Sequence, residues 1–304
     1  MAQLIKLQDY ISRYETNMYQ YPSKYIRLKQ ENWTKIKQLW EQGELQGREK
    51  KKEIPLEEDR KDKPWLRFLR KRQVEHHVEA IEEEAWTPTT MLELKQYFLD
   101  GLLPFQIKWA TTTLQKKSFV DGSIHEDENL KLFLQRLPDT FLVMYHPIVE
   151  IKTVPVEAEV ILIGPHEIEI ISVLDVPDVT TIYPSSESSW HVEKRGIRTK
   201  MFSPMHGLKR TETFVKSVLR SYDLDFPFRK VVLAPSHSFD GPKASYLTSY
   251  IDKASYTGWL EEKRKLSSPL KHNQLKVADL LIRHTKTLAV KRPEWELDDS
   301  KNQL

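Results

Sequence analysis

Three short stretches of this 304-residue chain gather side chains that could do chemistry. Pro235-Ser236-His237-Ser238-Phe239-Asp240-Gly241 holds a hydroxyl, an imidazole and a carboxylate, the parts of a nucleophilic relay. Residues so close in sequence cannot easily form a through-space relay, and no Gly-x-Ser-x-Gly elbow occurs, so this stretch is expected to be a loop. His76-His77 is the one compact pair among ten histidines. Neighbours on a helix point to different sides, and no His-Glu-x-x-His spacing exists, so zinc is not expected. The third stretch, Lys63-Pro-Trp-Leu-Arg67-Phe-Leu-Arg70-Lys71-Arg72, interleaves cations with aromatic rings. Such a segment can neutralise phosphates and stack bases, which makes Lys63, Arg67, Arg70, Lys71 and Arg72 candidate nucleic-acid contacts. Acidic residues nearly match basic ones over the first hundred positions, so solvated charge around helix-packing aromatics is the competing reading.

Composition narrows the remaining chemistry. The absence of cysteine excludes disulfides, thiolate nucleophiles, thiolate zinc sites and Cys-ligated iron–sulfur clusters. Only nine glycines are present, and neither a P-loop nor a dinucleotide-binding fingerprint occurs. Lys+Arg at 47 against Asp+Glu at 44 leaves a net charge of +3, so local patches matter more than the total for any polyanion. The first residues carry no apolar signal core, and the longest apolar run, at 160–165, is far too short to span a bilayer. A soluble, cytoplasmic protein without a membrane partner is expected.

The elements that must position any site follow from periodicity. Residues 3–42 place Leu4, Leu7, Ile11 and Tyr14, then Tyr25, Leu28, Trp33, Ile36 and Trp40, near helical spacing, with a break at Tyr21-Pro22-Ser23. A charged linker of alternating sign is expected at about 43–85, its last part an acidic helix from 74. Thr90 and Glu93 have the spacing of a capping box for a helix from Met91 to Leu99, ending at Gly101. A second helix is expected from Pro104 to about Lys116. Leu130, Phe133, Leu134 and Leu137 mark a helix over 123–137. Strand-like runs follow at 141–145, 148–154, 159–163 and 168–174, with Gly164-Pro165-His166-Glu167 as a hairpin turn. A strand around Trp190, a helix over 208–222, a buried strand over 228–234 and a helix over 274–284 complete the series.

From 118 to 290 this pattern resembles the nuclease-related (NERD) domain, a branch of the PD-(D/E)xK, or restriction-endonuclease-like, fold. The likeness is carried by the helix, the strand Ala158-Glu159-Val160-Ile161-Leu162-Ile163-Gly164-Pro165 and the strand Ile168-Glu-Ile-Ile-Ser172-Val-Leu174. That family has an acidic residue opening the first strand, Glu-x-Lys closing the second, an acid on the preceding helix, and Asn-Pro-x-x-Gln opening a later helix. Two carboxylates there hold Mg²⁺ while the lysine polarises water near the scissile phosphate. Glu159 takes the first acidic position, with glutamate for the usual aspartate, and Glu126 or Glu128 falls near the helix acid. Ser172 and Leu174 stand in place of Glu-x-Lys. Phe202-Ser203-Pro204-Met205-His206-Gly207 keeps the proline but puts Ser203 for Asn and Gly207 for Gln. Alternation sends Glu167, Glu169 and Asp175 to the opposite face, and Lys152, Lys200 and Lys209 are conceivable replacements for the lost lysine that restore no second metal ligand. The competing readings are a solvent-facing strand-end charge for Glu159 and a helix N-terminal charge for Glu126.

The resemblance therefore implies a mixed α/β (α+β) fold with a restriction-endonuclease-like core over 118–290. An N-terminal helical region over 1–115 and a disordered tail over 291–304 are expected around it. The function implied is a catalytically impaired nuclease-related protein that binds nucleic acid or assists its processing. Glu159 and Glu126 are its vestigial catalytic candidates, and no cofactor is expected. One alternative is a divergent Mg²⁺-dependent nuclease with displaced residues, in which Glu159 would ligate the metal. Another is a scaffold that recruits a protein partner through its N-terminal helices.

Overall fold

The computed structural model describes residues 1–45, 87–185, 188–242, 244–266 and 268–292. Lys63, Arg67, Arg70, Lys71 and Arg72 lie outside the described residues, as do nearly all of the expected linker and the tail from 293. The described chain is mixed α+β with mixed sheets. Among the described residues no helix is long and apolar enough to cross a membrane. Two compact units are formed, Met1–Pro22 with Gln106–Leu304, and Ser23–Phe105.

The chain opens with strand β1 (Gln3–Leu7), followed by helix α1 (Tyr21–Glu41) and helix α2 (Met91–Trp109). In the Ser23–Phe105 unit, α1 buries Tyr25, Leu28, Asn32 and Ile36 along one stripe. Trp33 meets Phe98 with ring centres 5.2 Å apart, and Trp40 Nε1 donates to the Pro88 carbonyl at 2.8 Å. The capping box forms as expected, with Glu93 N–H donating to Thr90 Oγ1 and Thr90 N–H to Glu93 Oε2, both at 3.2 Å. One helix replaces the two expected ones. Gly101 and Pro104 fall inside α2 because the surrounding Leu102, Leu103 and Phe105 are buried, and that burial outweighs local helix-breaking propensity.

The larger unit continues with β2 (Lys116–Lys117), α3 (Glu128–Arg136), β3 (Leu142–Tyr145), β4 (Ile148–Ile151), β5 (Val154–Glu157), β6 (Val160–Ile163) and β7 (Ile168–Val173). Then come β8 (Val179–Tyr183), β9 (Ser189–Lys194), β10 (Ile197–Phe202), α4 (Met205–Ser221) and β11 (Phe228–Leu233). The last elements are β12 (Ser238–Phe239), β13 (Thr248–Ile251), α5 (Tyr256–Lys265), α6 (His272–Arg283) and β14 (Val290–Lys291). Six strands make the main sheet in the order β1-β3-β6-β7-β11-β13. β6 runs antiparallel to both β3 and β7, while β1 is parallel to β3, and β11 is parallel to β7 and β13. A smaller sheet has the order β10-β9-β8-β12.

The N-terminus departs from the helical expectation. Gln3 to Leu7 is a strand with all five residues buried, and the expected N-terminal helical region at 1–115 is divided between the two units. Leu4, Leu7 and Ile11 fit a helical stripe only while the intervening residues are solvated. Here Gln3 Nε2 donates to the Asp139 carbonyl, and Lys6 Nζ donates to Tyr10 O, Glu15 Oε1 and Thr287 Oγ1, so the polar residues are buried too. At the other end Lys291, expected in the disordered tail, continues strand pairing with Val290 against Lys116 and Lys117.

Candidate functional site

The turn joining β6 to β7 closes with Gly164 N–H donating to the Glu167 carbonyl at 2.9 Å. From it the ladder runs Ile163↔Ile168, Leu162↔Glu169, Ile161↔Ile170 and Val160↔Ile171. One further step opposes Glu159 to Ser172, and opposed residues of an antiparallel pair share a face. Ser172 lies near enough to the Glu159 carboxylate to favour its charged form. Ser172 and Leu174 are both buried.

Helix α4 supplies the next side of the site. Its amphipathic stripe, Leu208, Thr211, Val215, Val218 and Leu219, is buried, which fixes its first turn beside the start of β6. Glu159 N–H donates to Thr211 Oγ1 at 2.9 Å, and Thr211 Oγ1 donates to the Gly207 carbonyl at 3.0 Å. Gly207 leaves open the volume that the Glu159 carboxylate fills. A Cβ at Gly207 would stand 2.9 Å from Cδ and 3.2 Å from Cγ of Glu159, and would overlap Oε1.

Burial holds the Glu159 carboxyl above the usual carboxylate range, opposed by His146, by Ser172 and by Arg210. His146 follows β3 with φ of 44°, a left-handed conformation that histidine enters more readily than most residues. Its Nδ1 lies 3.2 Å from the Ala158 carbonyl and 3.6 Å from Glu157 Oε1. The cluster thus offers a carboxyl, an imidazole and a guanidinium. Mg²⁺ requires near-octahedral oxygen coordination. A single carboxylate flanked by a hydroxyl and a glycine does not fit it. Among the described residues no group of three or more His, Asp or Glu could hold a metal ion.

Glu126 ends a 3-10 turn, Gly122–Glu126, and is exposed, as is Glu128. Between them, Asp127 caps α3 through Asn129 N–H and Leu130 N–H, and accepts from Tyr145 OH at 2.7 Å. Asp127, His146 and Arg210 did not emerge from sequence reasoning. His146-Pro147, ending a buried strand, was the one available signal.

On the opposite face of β7, Glu169 Oε1 meets Lys263 Nζ of α5 at 2.8 Å, and both side chains are 3% exposed. Arg229 Nε donates to Glu167 Oε2 at 2.7 Å beside them. This network borders a cavity of about 140 Å³ lined by Phe141, Gly164, Pro165 and Leu266 among others. His237 serves as a brace: Val176 N–H donates to Nε2 at 3.1 Å, so Nδ1 carries the proton given to the Val179 carbonyl at 2.9 Å. Both ring nitrogens are thereby engaged by backbone and not by a serine or aspartate, and the expected loop is interrupted by β12, which pairs with β8.

No family model matches the chain, and no solved structure matches it. It is similar to an RNA 2',3'-cyclic phosphodiesterase of Geobacillus stearothermophilus, 37% identical over 113 residues. That stretch covers 35% of this chain and 36% of the relative, so the likeness takes in about a third of either protein.

Proposed function

We propose that this chain is a nuclease-related protein that binds RNA at the Glu159 site and assists its processing, without two-carboxylate Mg²⁺-dependent cleavage. The observation that carries this reading is the convergence of positions 159, 172 and 207. The resemblance to the nuclease-related domain assigns those three positions to one site, and here they hold one acid, a serine and a glycine. Further support comes from the succession α3, β3, β6, β7, α4, β11, with β6 antiparallel to its neighbours and β11 parallel to β7. A restriction-endonuclease-like core accounts for that order. A fold is weaker support for function than a site. RNA as the partner rests on the name of the partial relative.

A second reading is favoured by the acid beside an imidazole and a guanidinium. In metal-independent opening of a cyclic phosphodiester, water attacks phosphorus and gives its proton to Glu159. The P–O bond to one ribose oxygen breaks, and that oxygen takes a proton from His146.

Labelled RNA, incubated at low and high salt and with Mg²⁺, Mn²⁺ or EDTA, separates the readings. The first expects a salt-sensitive shift without cleavage. Metal-dependent cleavage abolished by Glu159→Ala would overturn it in favour of a divergent nuclease. EDTA-resistant opening of cyclic phosphate ends, lost in Glu159→Gln and His146→Ala, supports the second. No shift at low salt leaves the protein-recruiting scaffold.

A further inference from the structure

The smaller sheet has two faces of different character. Trp190, Val192 and Ile182 point inward and are buried, with Trp190 edge-on to Tyr250 at 5.4 Å between ring centres. Strand alternation then puts Tyr183, His191, Glu193, Arg198, Lys200 and Phe202 on the outer face. The register opposes Lys200 to His191, Arg198 to Glu193 and Phe202 to Ser189, while Tyr183 opposes His191 on the other side. Phe202 is 90% exposed at the edge strand. The Arg198 guanidinium lies over the Tyr183 ring at 3.9 Å, and Tyr183 OH donates to Glu193 Oε2 at 2.7 Å. Residues 189–202 hold four Lys or Arg against a single Glu.

Edge strands often carry cations to discourage pairing with another strand. That duty does not call for an exposed ring, Phe202, on the same face. Cations between rings are the arrangement that neutralises phosphates while bases stack. Position strengthens the point, because β10 leads through Ser203-Pro204 into α4, whose first turns expose Lys209 and Arg210 and whose Gly207 abuts Glu159.

We infer that the outer face of β8, β9 and β10 binds a single-stranded phosphodiester chain through Arg198, Lys200 and Phe202 and leads it toward Glu159. This inference rests on the Glu159 site being a nucleic-acid site. The bases must be unpaired for Phe202 to stack on them, so a duplex is the wrong partner.

The test is fluorescence anisotropy of the full chain with short unstructured RNA, the same sequence as DNA, and a duplex, at two salt concentrations. Lys200→Glu combined with Phe202→Ala should weaken single-strand binding by about tenfold or more and flatten its salt dependence. Both positions are solvent-facing, so the thermal midpoint should stay put. Equal losses on RNA and DNA support the inference with the sugar unread, and a loss on RNA alone supports it with the 2′-hydroxyl read. Unchanged affinity in the double variant, or tighter binding of the duplex, overturns the platform while leaving the Glu159 reading intact. No binding by the wild type at low salt overturns both.

Discussion

The carboxylate of Glu159 lies in the space that a side chain on Gly207 would claim. The glycine is needed here for volume, since Gly207 is absent from the positive-φ positions of the chain. Strand β6 and helix α4 are therefore coupled through one acid. Gly207→Ala should destabilise the wild type by about 1–3 kcal/mol, the usual cost of overpacking. In a Glu159→Ala background most of that cost should vanish, and the difference between the two measurements is the coupling. Urea unfolding of the four proteins gives it, and strict additivity would show that the two positions do not share this space.

Glu159 also ties stability to pH. Its carboxyl binds a proton more tightly in the folded chain than at its ordinary value near 4.5, because burial disfavours the charge. The folded state then holds more protons than the unfolded one from about that value upward to the raised folded value. Stability falls as pH rises through the window, and above it the cost is complete. Glu159→Gln removes the ionisation. At pH 7 the variant should be more stable by on the order of 1 kcal/mol, a rise in Tm of about 2–4 °C. The advantage should fade as pH drops toward the ordinary carboxylate range. A variant less stable at neutral pH would show that the carboxylate is a structural anchor and no functional burden.

The buried pair on the other face behaves differently. Burial pushes the Glu169 carboxyl upward, and Lys263 opposes that push. Removing the ammonium strands a charge with both partners 3% exposed. Lys263→Met should cost about 3–5 kcal/mol in urea unfolding at pH 7. The penalty should shrink in acid, where Glu169 takes a proton. Glu169→Leu with Lys263→Met should recover most of the loss, since two matched apolar groups strand nothing. A cost near zero for the single variant would mean that water reaches the pair.

The parts of the fold legible in sequence are those with one wet face or a clear stop. The β6–β7 hairpin stood out because Gly164-Pro165 interrupts two apolar runs, and α4 because Leu208, Val215, Val218 and Leu219 repeat at helical spacing. β1 was misread because burial on all sides erases periodicity, and its Lys6 is satisfied by groups as distant in sequence as Thr287. β10 gave no apolar signal, since it presents Arg198, Lys200 and Phe202 to solvent. For the site, register alone placed Glu159 against Ser172. His146 and Arg210 reach it from other elements, which only the tertiary fold brings near.

That register permits a constructive test. If positions 159 and 172 face one ion-sized space, Ser172→Glu creates the paired carboxylates that bind a divalent cation. Without metal, two acids so close repel, and one must keep its proton, so the variant should be less stable than wild type at pH 7. Adding Mg²⁺ or Mn²⁺ should reverse the loss, by about 2.7 kcal/mol once the ion exceeds its dissociation constant a hundredfold. Ser172→Gln controls for size and should not respond to metal. Leu174→Lys added to Ser172→Glu then asks whether the amine of the nuclease-related pattern confers cleavage of RNA. Thermal unfolding against metal concentration reads the first step, with wild type as the flat reference. Should Ser172→Glu ignore both cations, the two side chains do not converge on a common space, and the assignment of this cleft to a lost metal site falls.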